Sequence, residues 1–149
     1  MSQNGEDFAR AARALHAAGS GGLKKELGVG IRAGVRPLIA LNRAAAREML
    51  PKKGGLNELV AKATETITVQ TAGNNIGVRV SVGNKNPGPR ATDAGHVRHP
   101  LFGDRKHWYN EPVKPGWFSA TMKKNSPSVE PFVRAAMQRV LDKLERGYG

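Results

Sequence analysis

Apolar residues recur along most of this chain at the three- and four-residue steps of a helix, and in one stretch at the two-residue step of a strand. In residues 7–18, Phe8, Ala11, Ala12 and Leu15 share one side, which predicts a short alanine-rich helix. Gly19-Ser20-Gly21-Gly22 breaks it with the composition of a flexible joint. Residues 23–49 carry the strongest helical pattern: Leu27, Ile31, Val35, Leu38, Leu41, Ala45 and Met49 fall on one face. Gly28, Gly30 and Gly34 each weaken that helix by up to ~1 kcal/mol relative to alanine. Pro37 has no N–H to donate and should divide it near Arg36. Pro51 ends the pattern. Leu56, Leu59, Val60 and Ala63 then predict a short helix over residues 56–63. The period next changes to two. Ile67, Val69 and Thr71 alternate with Thr68 and Gln70, Gly73-Asn74-Asn75 is turn chemistry, and Ile76, Val78, Val80 and Val82 alternate again. Residues 66–71 and 76–82 therefore read as a β-hairpin.

Residues 83–125 show no clean period and are rich in Gly, Pro, Asn and Asp. Residues 96–103 fit one further strand that extends the sheet. Five of the eight aromatic residues fall here: Phe102, Trp108, Tyr109, Trp117 and Phe118. Rings concentrated this way need something to pack on, either the chain's own sheet or another subunit. Ser126-Pro127-Ser128 then reads as a helix start, with Pro131 tolerated in the first turn. Val133, Ala136, Met137, Val140, Leu141 and Leu144 form the apolar face of a helix over residues 128–146. The fold class expected is α+β: a long N-terminal helix, a small antiparallel β-sheet, a long aromatic-rich loop and a C-terminal helix packed on the sheet. One domain over residues 1–149 is expected, with residues 1–22 a flexible N-terminal helix and joint and residues 23–146 the folded body.

Composition narrows the chemistry. With no cysteine among 149 residues, disulfides, thiolate metal sites and cysteine nucleophiles are excluded. The polar, acid-bearing start is not a signal peptide, and no apolar run approaches the ~18 residues of a membrane span. Twenty-four lysines and arginines against 12 acids give +12, which points to an anionic partner, nucleic acid first. The charge is also organised. Arg32, Arg36, Arg43 and Arg47 stay within about 60° of one another on a helix wheel, opposite the apolar stripe. Only Glu26 and Glu48 balance them between residues 23 and 49, whereas an ordinary solvated face interleaves both signs. This stripe is the first candidate for a DNA-facing or charged docking surface, with Lys24, Lys25, Lys52 and Lys53 second.

Catalytic patterns are weak. His96 and His99 have H-x-x-H spacing and His107 follows, with Asp93, Asp104 and Glu111 nearby. They lie in a stretch broken by proline and glycine that would not fix a metal-binding pair, so neither a metal nor another cofactor is expected. A metal-dependent nuclease built on His96, His99, Asp104, His107 and Asn110 would need a strand–helix scaffold, and no helical period follows Asn110 until Ser128. There is no G-x-S-x-G elbow and no Walker-type loop. Glu58 and Glu65 do not form a catalytic pair.

Taken in order, the segments resemble a known family. Leu50-Pro51 is followed by Lys52-Lys53-Gly54-Gly55-Leu56, then the hairpin with Gly77-Val78-Arg79-Val80-Ser81-Val82-Gly83. Next come Ala94-Gly95-His96-Val97-Arg98-His99-Pro100-Leu101-Phe102-Gly103, Trp108, Pro115-Gly116-Trp117-Phe118 and Pro131-Phe132-Val133-Arg134-Ala135-Ala136. This series resembles the minor head/tail-completion (neck, head-to-tail connector) proteins of phages with long non-contractile tails. It departs from them in Gly54-Gly55, where Thr-Gly is frequent, and in a longer loop over residues 84–94. The resemblance implies a structural, non-enzymatic virion protein, made in the host cytoplasm. It also implies a homo-oligomeric ring, a hexamer or a dodecamer, between head-side connector proteins and tail tube proteins. Double-stranded DNA would pass through the lumen without sequence readout, and no membrane is involved. The lumen or docking face would then carry Arg32, Arg36, Arg43 and Arg47. The subunit interface would carry Phe102, Trp108, Tyr109, Trp117 and Phe118. A tail terminator capping the tail tube is the alternative in the same class, and a free DNA-binding protein or the metal-dependent nuclease lie outside it.

Overall fold

The computed structural model describes residues 9–11, 13–16, 21–70, 76–83, 88–101 and 104–146; side chains 53, 99–101, 104–105 and 107–110 lie outside that description. The chain is of the mixed α+β class, with a long N-terminal helical region, two separate two-stranded sheets and a long C-terminal helix. After helical backbone at residues 9–11 and 13–16 come α1 (Gly21–Val35) and α2 (Pro37–Met49), separated at Arg36 as Pro37 requires. A 3-10 turn and α3 (Leu56–Ala61) lead to β1 (Glu65–Gln70) and β2 (Gly77–Val82), which pair; the expected turn, residues 71–75, lies outside the described residues. Then follow α4 (Pro89–Ala94), β3 (His96–Leu101), β4 (Asp104–Pro112) and the 27-residue α5 (Ser119–Glu145).

The segment expected as a long loop is therefore largely structured, and two expectations need correction. The strand near residues 96–103 exists, but it does not extend the first sheet. It pairs antiparallel with β4 in a sheet of its own, in register from His96 opposite Pro112 to Pro100 opposite Trp108. The final helix starts at Ser119, nine residues before the expected start, and Pro127 and Pro131 sit inside it. Just before the first of these prolines, Asn125 and Ser126 turn their side chains back onto the carbonyls of Thr121 and Met122.

The chain divides into two compact units. The first comprises residues 1–36, 67–80 and 127–149. Its buried residues include Ala11, Leu15, Leu23, Leu27, Ile31, Val35, Ile76, Val133, Ala136, Met137 and Val140, so the faces expected for the N-terminal helical segment, α1 and α5 are the buried ones. Here α1 and α5 run antiparallel and close. A Cβ at Gly30 would lie 3.0 Å from the Ala136 Cβ, and one at Gly34 would lie 3.0 Å from the Phe132 Cβ. Glycine at these two positions costs helix propensity and admits the second helix. Glu26 and Lys143 form an ion pair across the same helix pair.

The second unit comprises residues 37–66 and 81–126. Its core joins Ala46, Leu50, Val60, Ala61, Val82 and Trp117, with Met49, Leu56, Val113 and Phe118 packed around them. Two helix faces are rotated from expectation. In α2 the buried row is Leu38, Asn42 and Ala46, and Leu41 is exposed. In α3 it is Asn57, Val60 and Ala61, and Leu59 is exposed. Asn57 is buried because its side-chain amide donates to the carbonyl of Arg47. Such a polar partner moves the stripe by one residue, which an apolar periodicity cannot register.

The start of α5 is fixed from a distance. One Asp93 side-chain oxygen accepts from the backbone N–H groups of Phe118 and Ser119, both at 2.8 Å, and from the Ser119 hydroxyl. The Asp93 carbonyl accepts from the N–H of Gly116, whose φ of 93° suits glycine. The Trp117 indole N–H reaches the Pro89 carbonyl (3.2 Å) and the Thr92 hydroxyl (3.1 Å). Asp93 thus caps a helix 26 residues further along the chain.

Two outcomes follow for stability, both read by urea unfolding. Asp93→Ala should cost about 1–2 kcal/mol, with Asp93→Asn retaining part of it. Gly34→Leu should cost about 2 kcal/mol through overpacking against Phe132 and Val133, while Gly22→Ala, with open space around it, should be neutral or stabilising by about 0.5 kcal/mol.

Candidate functional site

The four arginines expected to form one stripe do not share one environment. Arg32 and Arg36 belong to the first unit, are exposed, and make no ion pair among the described residues. Arg43 and Arg47 belong to the second. Arg47 is committed: its Nε lies 3.2 and 3.3 Å from the two carboxylate oxygens of Glu58. Arg43 is half-buried, and its Nε is enclosed without a hydrogen-bond partner. Among these four, Arg32 and Arg36 are the cations offered to a partner. Lys24 is half-buried, Lys25 and Lys52 are exposed, and the Lys53 side chain lies outside the description.

The aromatic set also separates. Trp117 fills the core of its own unit with 0% exposure and both its polar and apolar needs met there. As an intersubunit anchor it is a correction. Phe118 stands edge-on to it, ring centroids 5.6 Å apart, and is half-buried. Trp108 and Tyr109 lie in β4 opposite Pro100 and His99. Phe102 falls outside the described residues.

His96 is exposed at the start of β3, and the His99 and His107 side chains lie outside the description. Among the described residues, no group of three or more histidine, aspartate or glutamate side chains could hold a metal ion. A helix does follow Asn110 closely, contrary to expectation: α5 begins at Ser119, well before Ser128. A groove of about 300 Å³ in the first unit is lined by Arg10, Ala14, Gln138, Leu141, Leu144 and Glu145. Its floor is aliphatic, and it offers no nucleophile with a base beside it. Among the described residues no helix is long and apolar enough to cross a membrane.

One polar cluster went unread in the sequence. Asn42, completely buried in α2, donates through Nδ2 to Glu65 (2.7 Å) and to the Met122 sulfur (3.3 Å), while its Oδ1 has no partner. Burial raises the Glu65 carboxyl above its ordinary 4.5; the Asn42 bond and the Arg43 charge oppose this without cancelling it. A single asparagine four residues from Leu38 and from Ala46 was the only trace of this cluster in the sequence.

Comparison with protein-family models, with curated proteins and with solved structures found no match.

The Glu65 cluster sets a pH dependence. Because the folded chain holds this proton more tightly than the unfolded one, the contribution of Glu65 is fully favourable below about 4.5 and is lost as pH rises through the raised folded value. Glu65→Gln cannot lose it. Its thermal midpoint should match wild type near pH 4, exceed it as pH rises through the raised Glu65 value, and keep a constant lead above that. A difference already constant from pH 4 upward would remove Glu65 from the pH dependence.

Proposed function

We propose that this chain is a structural subunit of the head-to-tail connector in a phage with a long non-contractile tail, assembling as a ring between head and tail tube. The observation that carries the reading is the ordered series of segments from Leu50-Pro51 through His99-Pro100-Leu101-Phe102-Gly103 and Pro115-Gly116-Trp117-Phe118 to Pro131-Phe132. The last two have clear physical work in this fold. Pro115 to Phe118 form the turn that Asp93 and Thr92 hold, and Phe132 lies where α5 meets α1.

A net charge of +12 suits a protein beside duplex DNA. Diffuse positive charge tolerates passage, and the chain needs no base readout. A ring repeats one heterologous contact until the rotation closes. With Trp117 committed to its own core, that contact falls to the β3–β4 hairpin, which carries Trp108 and Tyr109, and to Phe102 in the sequence between its strands. The chain acts without a cofactor and catalyses no reaction.

Sedimentation and light scattering of the protein mixed with DNA-filled, tail-less heads test this reading. It expects stable attachment, with a ring's complement of copies per head. Capping of tail tubes without head binding would make the chain a tail terminator instead. Binding to neither, with salt-sensitive binding to free DNA, would refute the connector.

A further inference from the structure

The outward side of the α1–α5 pair combines features that neither a solvated surface nor a DNA groove requires. Val29 is 60% exposed and Phe132 is 61% exposed, and Ala33 and Ala135 are exposed on the same two helices. Val29, Arg32 and Ala33 lie within one sector of α1, and Arg36 follows directly after its last residue, its N–H bonded to the Arg32 carbonyl. Phe132, Ala135 and Arg139 follow at steps of three and four on α5. The two helices are held together there by Gly34 against Phe132 and by Gly30 against Ala136, with a guanidinium nitrogen of Arg139 3.5 Å from the Gly30 Cβ position. A bulky side chain at either glycine would push the helices apart and break this surface.

The pair thus exposes four apolar side chains, Val29, Ala33, Phe132 and Ala135, interspersed along the chain with three exposed arginines, Arg32, Arg36 and Arg139. None of the three makes an ion pair among the described residues, whereas nearby Glu26 and Glu130 are already paired with Lys143 and Arg134. Exposed Phe and Val are wasted against a phosphate backbone. An aromatic anchor among arginines is the composition of a protein-binding surface. A second copy of this chain is a poor occupant, because a chain of net charge +12 has few acids to set against these arginines. We infer that the Val29–Phe132 face of the α1–α5 pair docks an acidic, amphipathic helical segment of a different protein, with Arg32, Arg36 and Arg139 fixing its register. The arginines of α1 then serve protein docking and do not face DNA. This inference stands independently of the connector reading.

The test uses the full chain and three fluorescent probes in anisotropy titrations at 150 mM salt. The probes are a 20-residue helix with leucine on one face and glutamate on the other, a polyglutamate of equal charge, and a 20-base-pair duplex. The leucine–glutamate helix should bind most tightly. Phe132→Ser and Val29→Ser should each weaken it about tenfold, the effect of losing an interface anchor. Arg36→Glu should weaken both peptides. Phe132→Ser should leave polyglutamate binding unchanged, and the exposed positions should leave the circular dichroism spectrum and thermal midpoint near wild type. The proposal is overturned if the leucine–glutamate helix does not bind or binds Phe132→Ser equally well. It is also overturned if the duplex is preferred, or if wild type forms a dimer that Phe132→Ser abolishes, since the occupant would then be a second copy.

Discussion

Asp93 is the residue on which the arrangement turns. A single carboxylate oxygen takes both free N–H groups at the entry to α5, while the neighbouring Thr92 and Pro89 anchor the Trp117 indole. Trp117 in turn completes a core with Ala46, Leu50, Val60 and Val82. Without that cap, the N-terminus of α5 would leave its donors unmet, and the two internal prolines would favour a later start. The tight turn at Gly95 places the residues of α4 beside the segment they hold. Its N–H bonds the Thr92 carbonyl, and its φ of 106° is one that glycine adopts at little cost.

What the sequence made legible follows from how local each cause is. The break between α1 and α2 lies where Pro37 puts it, and the apolar face of α1 is the one its spacing names, because both depend on neighbours a turn away. The alternation of Ile67 and Val69 likewise survives as a strand with alternating burial. The start of α5 was not legible, because its cap comes from residue 93 and the local signal at Ser126-Pro127-Ser128 reads as a beginning. The rotated faces of α2 and α3 failed for a related reason. Asn42 and Asn57 are inside because of hydrogen bonds to Glu65 and Arg47, and polarity alone puts them outside. The β3–β4 hairpin escaped notice because its second strand, residues 104–112, mixes charged and aromatic residues without a period.

The candidate surfaces show the same division. The helix wheel gathered four arginines into one stripe, but it carries no information about partners. Glu58, eleven residues from Arg47, removes one of them, and burial removes much of another. What remains is smaller and more specific: exposed Arg32, Arg36 and Val29, with Phe132 and Arg139 held against α1 at Gly34 and Gly30. The excess positive charge and these exposed apolar side chains describe different tasks, one spread over the chain for an anionic environment and one local for recognition.

Amide hydrogen exchange in the folded protein tests the central role of the Asp93 clasp most directly. If the clasp opens only when the chain unfolds, the N–H groups of Gly116, Phe118 and Ser119 and the Trp117 indole should exchange as slowly as the best-protected amides of Ala46 and Val60. Rapid exchange at these four groups, with the core amides still protected, would contradict the account and make the start of α5 a frayed end.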